Sequence, residues 1–197
     1  LTRAVSVIVV TPPTEPAVSY EEAKAHLRLD HDEEQAYVEA LVAAAEQHFA
    51  APAGWLGRSI CLQTLELRTS GFGWCELQLP YGPVRSIASV KYDDAEGVEQ
   101  TVDPAGYTLI GAGSDRTFVG LARGHSWPTA NGGQEAVRIR YTAGYEPDDV
   151  PAPLKQAILL LVSHWYENRE AVNVGNIVTA FPFAVEALAS PFRVWTV

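Results

Sequence analysis

Asp30-His31-Asp32-Glu33-Glu34 places four carboxylates and an imidazole in succession, the hard oxygen and nitrogen donors that hold divalent cations. The spacing argues for something plainer. A calcium loop needs alternate acidic positions, a central glycine and a distal glutamate, and that register is absent. Carboxylates at the start of a helix are favoured by its unsatisfied amides and its dipole, by about 0.3–1 kcal/mol each, so a helix start is the stronger reading. His26, His48, His125 and His164 are scattered among different neighbours, with no His-x-x-x-His or His-Glu pair at metal spacing. His164, beside Trp165, has the chemistry of a pH-sensitive subunit contact, although a lone histidine next to a tryptophan is more often a packing residue. Cys61 and Cys75 lack further ligands nearby and read as a reduced, half-buried pair.

Nucleophilic chemistry has less behind it. There is no Gly-x-Ser-x-Gly elbow, and Gly111-Ala112-Gly113-Ser114 lacks the Gly-Lys-Ser/Thr that completes a phosphate loop, so it reads as a turn. His125 and Ser126 are adjacent in an extended loop, where neighbouring side chains point apart, and that leaves a hydrolase only weakly supported. Trp55, Trp74 and Trp127 have the residue type of a sugar-stacking platform, but aromatic rings are equally the fillers of a small β core. No catalytic, cofactor-binding or metal-binding residue emerges, and no cofactor is implied.

The elements that would position these groups follow from pattern. The chain has 197 residues, 47% hydrophobic and 19% charged, which suits one globular domain or one with a sizeable insert. A net charge of −10 lacks the basic footprint of a phosphate-gripping protein and disfavours specific DNA reading. The opening apolar run Val5 to Val10 is too short for a signal core, and Ala157 to Val162 is far below the roughly 20 residues that cross a bilayer, so a soluble protein without a membrane partner is expected.

Residues 1–18 read as a short strand and a Pro-rich arm through Thr11 to Pro16, which cannot pair regularly with a sheet. Ser19-Tyr20-Glu21-Glu22 is a capping box that starts a helix, and Asp30 to Glu33 offers a second box for the next helix, which ends at Pro52 or Gly54. Residues 19–56 form this helical part. A β-rich insert, 57–146, holds strand candidates Ile60 to Arg68, Cys75 to Leu79, Ser86 to Tyr92, Val98 to Val102, Tyr107 to Ile110, Phe118 to Leu121 and Val137 to Thr142, summarised as an antiparallel unit of about six strands. Asp93 to Gly97 reads as a hairpin turn with a glycine at positive φ. Residues 147–197 return to helix and tail and are expected to pack with 19–56. The fold class is therefore α+β: an N-terminal helix pair, a middle antiparallel β unit and C-terminal helices.

The segment Val150 to Val197 carries the functional signal. A proline-opened helix, apolar on nearly every side and ending in an aromatic, charged turn, presents more apolar surface than a small domain is expected to cover. A partner surface is expected there.

Several segments together resemble a known family. Val18 to Arg28 followed by Asp30 to Glu34, the Ile60 to Leu67 strand, the Gly144-Tyr145 turn and above all Pro153 to Val162 with His164 to Arg169 are similar to the tailed-phage head-to-tail connector, or adaptor, proteins. The resemblance is to the longer members with a β-rich insert, also carried by phage-derived gene transfer agents, and it covers nearly the whole chain. It implies a structural protein, not an enzyme. Such proteins form a ring, usually of twelve copies, beneath the portal protein and offer the far side to a stopper or tail-completion protein, while DNA passes through without being gripped. It places the protein in the host cytoplasm during assembly and then in the particle neck. By this resemblance Pro191, Phe192, Arg193, Val194 and Trp195 become the portal anchor, and Ile158, Leu161, Trp165 and Tyr166 serve core and ring contacts. Removal of residues 190–197 is expected to spare the fold. The rival expectation is a carbohydrate- or protein-binding module of a tail or baseplate, using the Trp-bearing β unit.

Overall fold

A computed structural model describes residues 5–73, 76–169 and 183–195. The chain forms two compact units: residues up to Thr14 with Leu62–Gly144, and Glu15–Cys61 with the residues from Tyr145 onward.

The first unit is all β apart from one short 3₁₀ turn, and it contains two antiparallel sheets. Strands β1 (Val5–Thr11), β2 (Gln63–Thr69), β4 (Val84–Asp93), β5 (Glu99–Thr101) and β8 (Val137–Ala143) make one sheet in the order β1-β2-β8-β4-β5. The other is β3 (Glu76–Leu79), β7 (Thr117–Leu121) and β6 (Tyr107–Ile110), in the order β3-β7-β6. Thus the expected antiparallel character and strand positions are present, but the strands number eight among the described residues and divide between two sheets. The first strand, read from sequence as part of a separate arm, is an edge of the larger sheet.

Alternation decides which side chains enter the core. Registered pairs align Val7, Leu67, Ile139 and Val90 in one row across the larger sheet, and Val9, Leu65, Tyr141 and Ile87 in the next. Leu65, Leu67, Ile139 and Tyr141 pack with Leu77, Leu79 and Val119 of the smaller sheet in a single cluster. Tyr141, fully buried, satisfies its hydroxyl by donating to the Pro80 carbonyl at 2.8 Å. The opposite face is polar. There Glu66, only 5% exposed, is pushed up by burial, but bonds from Arg140 (2.8 Å) and Arg68 (2.9 Å) outweigh this and hold its carboxyl below the usual range.

Turn chemistry closes the hairpins. The Asp94 carboxylate accepts from the amides of Glu96 and Val98, and Gly97 sits at φ +80° with open space where a Cβ would lie, so conformation alone selects glycine there. Gly111 to Ser114 is indeed a turn: the Ser114 hydroxyl is shared between the carbonyls of Gly111 and Arg116, a structural role that leaves it no part as a nucleophile.

The second unit is helical, with α1 (Tyr20–Leu27), α2 (Gln35–Phe49), α3 (Ala152–Glu167) and α4 (Phe183–Ala189), the last followed by a 3₁₀ turn at Ser190–Phe192. The capping box is complete: Ser19 Oγ accepts from the Glu22 amide and the Glu22 carboxylate accepts from the Ser19 amide at 2.8 Å. The second box does not form. Helix α2 begins only after Glu34, four residues beyond Asp30 and without a side-chain cap, while the Asp32 carboxylate accepts from the Tyr20 hydroxyl (2.8 Å) and Lys24 Nζ (2.6 Å). Pro153 lies in the first turn of α3, where its missing amide hydrogen has no helical acceptor. Val38, Val42, Ala45 and Phe49 of α2 meet Leu154, Ala157, Ile158, Leu161 and Val162 of α3 and Val185 of α4 in one core. Among the described residues no helix is long and apolar enough to cross a membrane.

Ser19→Ala removes one half of the capping box at an exposed helix start. It is expected to lower unfolding free energy by about 1 kcal/mol, read from denaturant midpoints at constant slope.

Candidate functional site

The acidic run disperses once folded. Asp32 turns to Tyr20 and Lys24, whereas Glu34 turns to the end of α3, where it accepts from the Tyr166 hydroxyl and, at 2.7 Å, from Arg169 Nη2. Those two bonds hold the Glu34 carboxyl below its ordinary range. Among the described residues no three of His, Cys, Asp and Glu are placed to hold a metal ion. The Arg169 guanidinium is also flanked by two rings, Tyr37 at 4.7 Å and Tyr166 at 4.8 Å. A planar, permanently charged group bonded to a carboxylate and flanked by two aromatic rings fastens the start of α2 to the end of α3. Sequence reasoning missed this cluster, whose members lie more than 130 residues apart in the chain.

The tryptophans do not make a platform. Trp127 stacks on Phe72 with centroids 4.6 Å apart and planes 4° from parallel, and both rings join the β core. Trp55 belongs to the other unit, against Phe49. Trp74 lies outside the described residues, as does Cys75. His125 and Ser126 are exposed loop residues, and the His125 ring lies beside Gly106. The sugar-stacking and hydrolase expectations therefore gain no geometry. His48 stands edge-on to both Phe49 and Trp165, which makes it a packing histidine.

The residues named for ring contact separate into two kinds. Ile158 and Leu161 are 0% and 2% exposed and are covered by their own subunit, so they are core residues and have no surface left for a neighbouring copy. Trp165 and Tyr166 are half-buried at the margin of the same core. The C-terminal residues are stitched on more firmly than a free tail. The Val194 amide donates to the Leu56 carbonyl at 2.8 Å, and a side chain at Gly57 (φ +64°) would come within 2.8 Å of the Val194 carbonyl oxygen. Phe192 lies half-buried under the Arg58 guanidinium, and Arg193 is held between Trp55 (4.9 Å) and Trp195 (4.0 Å). Deleting 190–197 would thus strip packing from the helical core, contrary to the expectation that this end carries little of it. Trp195 itself is 69% exposed. The result is an aromatic ring projected into solvent on a braced support.

A family model described as head completion protein matches residues 17–177. The chain belongs to the head completion protein family. Three solved structures contain chains similar to it over nearly their whole lengths. One is the neck of an empty gene transfer agent (GTA) particle computed with C6 symmetry: 28% identity, TM-score 0.76, covering 98% of this chain and 97% of that one. A second is the virion of a native GTA particle, with 27% identity, TM-score 0.72 and coverage of 97% and 96%. The third is the neck of a native GTA particle computed with C12 symmetry, with 26% identity, TM-score 0.70 and coverage of 98% and 97%. No curated protein matches.

One buried acid of this head completion protein has no counterpart in the sequence reading. Glu46 on α2 places Oε1 against the backbone amides of Ala17 (2.6 Å) and Val18 (3.2 Å), fixing the chain just before α1. Burial raises its carboxyl to about 7, against the pull of those two amides. Both bonds fall on one oxygen, so a protonated carboxyl keeps them. Cys61 packs in the same core and burial pushes its thiol up to about 12, which makes it unreactive.

Because the folded pKa of Glu46 is raised, the folded state holds a proton that the unfolded chain has released between about 4.5 and about 7. Its contribution to stability is therefore full below about 4.5, declines across that window and is gone above it. Relative to Glu46→Gln, which keeps the acceptor and cannot ionise, the native protein should lose about 2–3 kcal/mol between pH 4.5 and 7.5. Parallel denaturant titrations of the two proteins measure this difference.

Proposed function

We propose that this protein is a structural head-to-tail connector: copies form a ring beneath the portal of a phage-like particle and join it to the stopper or tail, with DNA passing through. The observation that carries the reading is the family match over 17–177 together with whole-chain similarity to chains from GTA necks and a GTA virion. Twelve copies fit the C12 symmetry of one such neck. The role is mechanical and needs no catalytic constellation or cofactor.

Charge supports free passage of DNA. Of the 24 Asp and Glu residues 15 fall in the helical unit, with only six of the 14 Lys and Arg, so nearly all of the net charge of −10 belongs to that unit. A duplex moving past such a surface is repelled over a Debye length of about 8–10 Å and is not held. The braced Trp195 supports the portal-anchor role, with Pro191, Phe192, Arg193 and Val194 as its mount. An exposed tryptophan beside an arginine is the composition of an interface hot spot. For ring contacts the margin of the helical core at Trp165 and Tyr166 remains available.

Trp195→Ala should leave the unfolding midpoint within about 0.5 kcal/mol of the native value, since the ring is mostly solvated. Capture of the protein by purified portal rings should fall at least about tenfold, as for loss of a hot-spot aromatic. Pull-down with portal rings, backed by electron microscopy of the neck, reads both arms. Undiminished capture would remove the anchor assignment, and absence of the protein from necks would remove the connector reading.

A further inference from the structure

Resting on the ring reading, we infer that neighbouring copies join through the five-stranded sheet, the open edge of β1 in one copy taking the open edge of β5 in the next. Among the described residues, both end strands of this sheet are paired on one side only. An open strand is a template for another strand, and proteins that must stay apart guard it with charge, proline or a covering segment. Strand β1, Val5-Ser6-Val7-Ile8-Val9-Val10-Thr11, contains no charged residue and no proline. Ile8 is 39% and Val9 38% exposed, although Val9 ends the row that continues through Leu65, Tyr141 and Ile87. The core pattern therefore runs to the edge and stops uncovered.

The far edge matches in kind. Val98, leading into β5, is 55% exposed. The one charge on β5, Glu99, is drawn sideways to Lys91 Nζ (2.7 Å) and Arg138 Nη2 (3.1 Å), so it does not guard the edge against a neutral strand. Gln100 and Thr101 are uncharged. Exposed aliphatic residues at both ends of one sheet, with no repelling charge at either, favour a second copy of this chain as the occupant. Two different edges meeting make a head-to-tail contact, which propagates around a closed ring, whereas β1 against β1 would stop at a pair. Because β5 offers only three residues, each junction is weak and gains strength from closure and from docking on a common platform.

The test uses phage-like particles assembled with Val9→Cys/Val98→Cys in a Cys75→Ser background, treated with a short bis-maleimide. A ladder of covalent multimers from the double variant, with none from either single variant, is the expected result. Dimers from Val9→Cys alone would show a two-fold β1 contact and overturn the inference. A double variant that enters necks without forming a ladder would also overturn it, while leaving the connector reading intact. Absence of the native protein from necks would take down both. Ile8→Lys should reduce neck incorporation at least tenfold with an unchanged unfolding midpoint, and undiminished incorporation would count against the edge contact.

Discussion

Helix α3 is apolar around most of its circumference, and covering it dictates how the helical unit is built. Leu154, Ala157, Ile158, Leu161 and Val162 are buried together, while Leu159, Leu160, Trp165 and Tyr166 lie at the margin. Each fully buried large side chain contributes about 1.5–3 kcal/mol, so leaving such a helix exposed would cost more than a small domain can spare. The cover comes from α1 and α2 on one side of the chain and α4 on the other. The N-terminal helices are in turn too short to form a core of their own. Two chain pieces separated by the whole β unit thus depend on one helix.

The stretch from β2 to β8 can be inserted between them because those two strands are neighbours. Strands β2 and β8 pair along their full length, from Gln63 opposite Ala143 to Thr69 opposite Val137. The chain therefore leaves and returns at adjacent points, and beyond the sheet it remains joined by the Cys61–Tyr145 bridge, with the Tyr145 amide donating to the Ile60 carbonyl at 2.7 Å. Each unit keeps a hydrophobic core assembled from its own residues.

What the sequence disclosed follows the range of the interactions involved. The box at Ser19 and Glu22, the Asp94–Gly97 turn and the alternating strands are set by residues a few positions apart, and these were legible. The second box at Asp30 to Glu33 looked equally good and failed, because α2 starts only at Gln35, beyond the reach of Asp30. Splitting the strands into two sheets depends on nonlocal pairing, which alternation does not encode. Apolar girth showed that α3 needs cover and was read as calling for a partner surface, because pattern does not distinguish the same copy from the next. For Ile158 and Leu161 it is the same copy. The cluster at Glu34, Tyr37, Tyr166 and Arg169 and the bracing of Arg193 by Trp55 join distant segments, and no local signal marks them.

A subunit that satisfies its own cores has little left with which to assemble. The large apolar residues still exposed among those described are few: Ile8, Val9, Val98 and Ile110 in the β unit, Phe183 and Trp195 in the helical unit. An obligate oligomer would show a continuous apolar face of the kind that resembles a core cut in half. On the connector reading proposed above, a few separate contacts would suit a component that stays dispersed until a template appears. Once one contact is fixed, the others become intramolecular and their effective concentrations rise to the millimolar range. Under the connector reading the net charge of −10 would act in the same direction, since like-charged free copies repel as they approach within a Debye length of about 8–10 Å. Under the connector reading proposed above, a complete interior and a sparse, acidic exterior would delay assembly until a platform that directs it is present.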